Sequence, residues 1–114
     1  MKSKKTTLKV VPVKPKKDLL SSLRHLKNQF AACALKLSTE DAAMSIEQIG
    51  YWAEFSGNIL STVVKIGGPN ARNDIKQLLP LNIDGLIAPM VESSYGLENF
   101  ISAVRDFTTP MQFE

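Results

Sequence analysis

The chain has 114 residues, of which 44% are hydrophobic and 22% charged, and its net charge is +3. That length suits one domain, and that composition excludes a fully disordered chain, a collagen-like fibre and a disulfide-stapled mini-protein. Cys33 is the one cysteine, so no intramolecular disulfide is possible. Because this thiol lies among alanines, we expect it to be buried and unreactive. No membrane span, secretory signal or transit peptide is visible, which favours a cytoplasmic protein.

Residues 1–17 form a basic arm. It contains seven lysines and no acid, so it carries +7, whereas residues 18–114 carry −4. Its prolines and its lysine repulsion predict an arm that is disordered when unbound. The lysines are Lys2, Lys4, Lys5, Lys9, Lys14, Lys16 and Lys17.

Three roles are open for this arm. It is a solubilising tail, a docking peptide for an acidic protein, or a contact to the nucleic acid backbone. Because it has no arginine and no aromatic residue, nucleic acid binding would be independent of sequence and sensitive to salt. Pro12-Val13-Lys14-Pro15-Lys16 also fits the PxxP-plus-basic pattern of peptides that dock in aromatic grooves.

The arm is followed by a helical pattern. Apolar residues recur at steps of three and four, which predicts a first helix over residues 18–37 with Asp18 as its N-cap. The apolar positions of this seam are Leu19, Leu23, Leu26, Phe30, Cys33 and Leu37. Ser38 and Asp41 fit a capping box, which predicts a second helix from Glu40 to about Ile66. Since almost no loop separates the two helices, they are expected to form an antiparallel hairpin.

The predicted second helix is apolar on more than one face and indicates an interface. Gly50 and Gly57 share a face, which favours a close approach of another backbone or a bend. Tyr51, Trp52 and Phe55 add aromatic area. These five residues are the candidate protein interface, and they predict that the protein is at least a dimer.

The remaining chain predicts two shorter helices. Residues 70–79 fit a helix ended by Pro80, with Ile75, Leu78 and Leu79 turned inward. Residues 83–88 are expected to be a turn, followed by a helix that starts between residues 89 and 93 and runs to Phe107. Residues 110–114 are interpreted as a frayed tail or a hydrophobic hook. Because no strict period-2 alternation is evident, the predicted fold is an all-α bundle of three to five helices over residues 18–109.

Little in the sequence indicates catalysis. His25 and Cys33 are too far apart on the predicted helix for a nucleophile–base pair, and one histidine with one cysteine does not make a metal site. The turn Gly67-Gly68-Pro69-Asn70 could cradle a phosphate, but it lacks the P-loop spacing and no strand is predicted before it. A helix end explains these glycines better. We therefore expect no enzyme, no cofactor and no metal.

These observations predict a non-enzymatic, self-associating interaction protein. Its arm would contact an anionic partner, with the nucleic acid backbone as the leading candidate. The alternatives are an adaptor or inhibitor that presents a helical groove to another protein, and a structural subunit of a larger assembly.

Overall fold

Helices and strands alternate along the chain in a computed structural model that describes residues 17–108. The elements are α1 (Lys17–Phe30), β1 (Ala34–Ser38), α2 (Ile46–Ser56), β2 (Ser61–Lys65), α3 (Arg72–Leu78), β3 (Gly85–Ile87) and α4 (Ser94–Asp106). The prediction of an all-α bundle built on a hairpin of two long helices is therefore wrong. The described part of the chain is a mixed α/β fold with four helices and a parallel three-stranded sheet.

The three strands lie side by side in chain order, β1-β2-β3, and both neighbouring pairs are parallel. In the register of the sheet, Ser38 pairs with Lys65, and Lys65 pairs with Ile87. Helices α2 and α3 connect successive strands, which is the βαβ arrangement. The carboxyl ends of all three strands therefore meet at one edge of the sheet.

The predicted first helix stops early because the backbone turns after Phe30. Ala31 has a φ of 59°, a left-handed conformation that ends the helix. The chain then extends into β1, where Leu35 and Leu37 alternate with Lys36 and pack into the core. The apolar step from Phe30 to Leu37 fitted a helical period by coincidence, since it crosses the break between two elements.

The predicted second helix is divided into α2 and β2. The capping box of α2 lies at Ser45 and Gln48, whose side chains each accept a hydrogen bond from the other residue's backbone amide, at 3.1 and 2.8 Å. The hydroxyl of Ser38 does accept from the amide of Asp41, at 2.9 Å, but this bond closes a turn after β1. Past Gly57 the chain enters residues 61–65, which are rich in β-branched side chains and form the central strand.

The later elements agree better with the sequence. Helix α3 lies within the predicted residues 70–79, and its Ile75 and Leu78 are fully buried. Helix α4 covers most of the predicted last helix and is capped by Ser93. The expected turn at residues 83–88 is wrong, because Gly85–Ile87 pair with β2 as the third strand.

The hydrophobic core lies on one face of the sheet. It joins Ile49 of α2, Ile75 and Leu78 of α3 and Ala103 of α4 to Val64 of β2. A smaller cluster joins Leu23 of α1 to Ile59 and Leu60, which precede β2. None of the side chains on the opposite face belongs to either cluster. These opposite-face positions are Ala34, Lys36, Ser38, Ser61, Val63, Lys65, Gly85 and Ile87.

Candidate functional site

The carboxyl edge of the sheet brings three loops together. The amide of Thr39, just after β1, donates to the carbonyl oxygen of Lys65 at 3.1 Å. The amide of Ile66, just after β2, donates to the carbonyl oxygen of Ile87 at 3.0 Å. Parallel α/β proteins place their ligand and active sites in loops at this edge, so these loops are the candidate site.

A charged pair lies at the centre of this edge. The Nζ atom of Lys65, the last residue of β2, is 2.7 Å from Oδ2 of Asp41 in the loop after β1. The hydrogen bond from Lys65 and its positive charge, together with the charge of Lys36, hold the pKa of Asp41 below its usual value. The carboxylate of Asp41 is therefore ionised at neutral pH, and Lys65 joins the loop after β1 to the end of β2.

A glycine turn borders the ion pair. Gly67 and Gly68 follow β2 and precede α3, so the expectation that no strand precedes this turn, and that the glycines end a helix, is wrong. A Cβ on Gly67 would lie 3.2 Å from Cγ of Glu40, which makes glycine the residue that lets these two loops approach. Among the described residues, the amides of Gly67 and Gly68 donate no hydrogen bond. They are free to bind an anion.

The β2–α3 loop also contacts the beginning of α4. Cγ of Pro69 lies 3.9 Å from the position that a Cβ on Gly96 would take, in the first turn of α4. The hydroxyl of Ser93 accepts from the amide of Gly96 at 3.1 Å. The first turn of α4 contains no acid, and this positive end of the helix dipole adjoins the β2–α3 loop at Pro69.

A second hydrogen bond fixes the loop after β1. The hydroxyl of Thr39 donates to Oδ2 of Asp74 at 2.8 Å, and this joins the loop to the first turn of α3. The carboxylate of Asp74 is thereby engaged within the fold. This hydrogen bond therefore holds the loop after β1 against α3.

The residues first considered for catalysis lie elsewhere. His25 is exposed on α1 and contacts the edge of the Phe30 ring, with centroids 5.5 Å apart. Cys33 is exposed in the loop before β1, so the prediction of a buried thiol is wrong. Within residues 17–108, no group of three or more His, Cys, Asp or Glu side chains is placed to hold a metal ion. No helix in this part of the chain is long and apolar enough to cross a membrane.

The structure brings together part of the predicted interface. Gly50, Tyr51 and Phe55 line an open groove of about 700 Å³ between α2 and the loop after α3. Trp52 instead packs against the main core, while its ring contacts Phe55 edge-on at 5.6 Å. Gly57 is the C-cap of α2, and a Cβ there would lie 2.7 Å from the carbonyl oxygen of Ala53. The close backbone approach at Gly57 is therefore within its own helix.

The predicted anionic-partner site lies almost entirely outside the described residues. Of its seven lysines only Lys17 is within them, as the first residue of α1. The predicted tail at residues 110–114 also lies outside.

The fold and its edge define a class: a sequential parallel β/α protein with its candidate site in the loops after the strands. Comparisons of the chain with protein-family models, with curated proteins and with solved structures found no match. The candidate site therefore depends on geometry and chemistry alone.

Sequence reasoning missed Lys65 and Asp41. Asp41 was interpreted as a capping residue and Lys65 received no role, because both were placed at opposite ends of one long predicted helix. The available signal was a β-branched run that ends in lysine and is followed by Gly67-Gly68 and a helix. That order of strand, glycine turn and helix is typical of an anion-binding loop.

Proposed function

We propose that the protein binds a small organic anion that carries a hydroxyl group, at the carboxyl edge of its sheet. The observation that supports this proposal is the 2.7 Å ion pair between Lys65 at the end of β2 and Asp41 in the loop after β1, beside the Gly67-Gly68 turn. The proposal is one of binding, and it gives no residue a catalytic role. That the protein is not an enzyme stays a prediction.

The chemistry of the edge fits such a ligand. An ammonium group has three donors, so Lys65 can donate to Asp41 and still donate to a carboxylate or phosphate oxygen. The amides of Gly67 and Gly68 and the first turn of α4 add donors and a favourable dipole. The carboxylate of Asp41 accepts hydrogen bonds only, so it would accept from a hydroxyl of the ligand.

Calorimetric titration of the full chain tests this proposal. The probes are lactate, inorganic phosphate and, as a neutral control, glycerol. We expect lactate to bind with a millimolar or lower Kd and glycerol not to bind. Binding of phosphate but not lactate would retain the anion site and contradict the role of Asp41 toward the hydroxyl.

Two lysine variants make the titration specific. Lys65→Met should abolish lactate binding, since it removes the ammonium group and keeps a side chain of similar length. Lys76→Met is the matched control, because Lys76 is exposed near the end of α3 and is not part of the edge. Equal loss in both variants, or binding that survives Lys65→Met, would contradict the proposal.

We also propose that the protein self-associates, with a second copy covering the free face of its sheet. Parallel sheets are covered on both faces in nearly all proteins, whereas the core formed by residues 17–108 lies on one face only. On the free face, Val63 and Ile87 are half-buried and lie outside the core clusters. Sedimentation equilibrium at tens of micromolar should give a dimer or larger species, and a mass of 12.6 kDa would contradict this proposal.

A further inference from the structure

The groove on α2 has the shape and lining of a site for a proline-rich peptide. It is an open depression of about 700 Å³ between α2 and the loop after α3, and Tyr51, Phe55 and Pro80 line it. The rings of Tyr51 and Phe55 stack with centroids 6.1 Å apart and planes 12° from parallel. Grooves lined by aromatic rings bind proline-rich segments, because the extended polyproline conformation costs little entropy to order.

The groove is also acidic. Glu47 and Glu54 lie seven residues apart on α2, both line the groove, and both are exposed. No basic residue lines it among the residues that the structure describes. The groove therefore favours a peptide that combines prolines with basic side chains.

The chain itself contains such a peptide. Residues 12–16 read Pro-Val-Lys-Pro-Lys, with prolines three residues apart and a lysine on each side of the second proline. We infer that residues 12–16 of the arm dock in the groove formed by Tyr51, Phe55 and Pro80 of the same chain, with Lys14 and Lys16 beside Glu47 and Glu54.

The position of α1 supports docking within one chain. Helix α1 begins at Lys17, immediately after residue 16. Leu20, in its first turn, packs against the same small cluster as Phe55, which lines the groove. Five residues in the polyproline conformation span about 16 Å, and direct attachment to α1 raises the effective concentration of the peptide at a nearby site. The peptide is therefore joined to the fold close to its proposed site.

Docking in the groove would also weaken the binding of the arm to nucleic acid. The lysines proposed to contact nucleic acid would be held partly by the acidic groove, so polyanion binding and groove docking would compete. This inference concerns a different surface from the carboxyl edge, and it does not depend on the proposed ligand.

Zero-length carbodiimide cross-linking of the full chain, read by peptide mass spectrometry, tests this inference. The reagent joins a lysine amine to a carboxylate only when the two are in contact. We expect links from Lys14 or Lys16 to Glu47 or Glu54, at the mass of one chain and several-fold more abundant than links to Glu92 or Glu98. Glu92 and Glu98 are the control acids, because they are exposed and do not line the groove.

Two pairs of variants separate specific docking from simple charge attraction. Tyr51→Ala removes one ring of the groove and should reduce the links several-fold, whereas Tyr95→Ala, on an exposed ring of α4, should not. Pro12→Ala with Pro15→Ala keeps every charge and should also reduce the links. The control replaces Pro110, beyond α4, with alanine and should leave them unchanged.

The pattern of the cross-links distinguishes docking in the groove from its alternatives. Intramolecular links that depend on Tyr51 and on the prolines support it. Links spread evenly over all exposed acids would overturn it, because charge alone would then explain them. Links found only in covalent dimers would also overturn it, since the arm would then dock on a second copy.

Discussion

The ion pair between Asp41, in the loop after β1, and Lys65, at the end of β2, makes the pKa of Asp41 depend on Lys65. Asp41 titrates below its ordinary pKa of 3.8, chiefly because Lys65 donates a hydrogen bond to it. A carboxyl with a lower pKa in the folded state stabilises the fold above its unfolded pKa. That stabilisation is lost as the pH falls through the lower folded value.

We therefore predict that Lys65→Met returns the pKa of Asp41 toward 3.8. Carbon-detected NMR titration of the side-chain carboxyl measures this directly. The control, Lys76→Met, should leave the titration of Asp41 unchanged. The same pKa in Lys65→Met and in the wild-type chain would show that the ion pair does not form in solution.

Gly50 and Gly57 make contrasting contacts, although the sequence treats them alike. A Cβ on Gly57 would clash with the carbonyl oxygen of Ala53, whereas a Cβ on Gly50 would meet only the flexible side chain of Leu81, at 3.4 Å. Gly57→Ala should lower the free energy of unfolding by about 1–3 kcal/mol, which is typical of overpacking. Gly50→Ala should raise it by about 0.5–1 kcal/mol, because alanine is the better helix former.

Urea denaturation of both variants checks this pair, each compared with the wild-type chain. Destabilisation by both substitutions to a similar extent would contradict the placement of Gly57 at the end of α2. It would instead favour the long helix that the sequence suggested.

At the scale of elements, β2 shows the asymmetry between the two faces of the sheet. Val64 is fully buried in the core, whereas its neighbour Val63 is half-buried on the opposite face. Val64→Ala should cost about 2 kcal/mol of unfolding free energy, since it removes two buried methyl groups and leaves a cavity. Val63→Ala should cost less than about 1 kcal/mol in the monomer.

Thermal or urea unfolding at low and high protein concentration measures the loss of unfolding free energy in Val64→Ala and in Val63→Ala. If a second copy covers the free face, the cost of Val63→Ala should rise with concentration. Equal costs for the two substitutions at the lowest concentration would contradict the one-sided core.

At the scale of the whole molecule, charge is divided between the arm and the rest of the chain. Residues 1–17 carry +7 and residues 18–114 carry −4, so any affinity for nucleic acid should come from the arm. We predict binding to duplex DNA that is independent of sequence. The log–log salt slope should be no steeper than about −6, since each neutralised phosphate contributes about 0.9.

Fluorescence anisotropy with two unrelated DNA duplexes at several salt concentrations tests this prediction. Replacing the seven arm lysines with glutamine in the full chain should abolish binding while the circular dichroism spectrum is unchanged. The proposal fails if the substituted chain still binds or if the wild-type chain shows no affinity at about 50 mM salt. An adaptor that binds another protein would then be the better interpretation.

The sequence by itself determined features that depend on neighbours along the chain. Helix α3 was predicted because its apolar positions lie between Pro69 and Pro80, and the last helix because its apolar residues recur at helical spacing. The bond between Ser38 and Asp41 was also predicted, since both partners lie within one turn of chain. Charge division between the arm and the remainder followed from counting residues.

Only the tertiary structure decided the sheet and the site. Five residues such as Ala34–Ser38 are too short for their period to exclude a helix, and they become a strand by pairing with Ser61–Lys65, more than twenty residues away. That register places Asp41 beside Lys65 and Glu40 beside Gly67. Because hydrogen bonding between distant strands is a nonlocal interaction, no periodicity in the sequence could have shown these contacts.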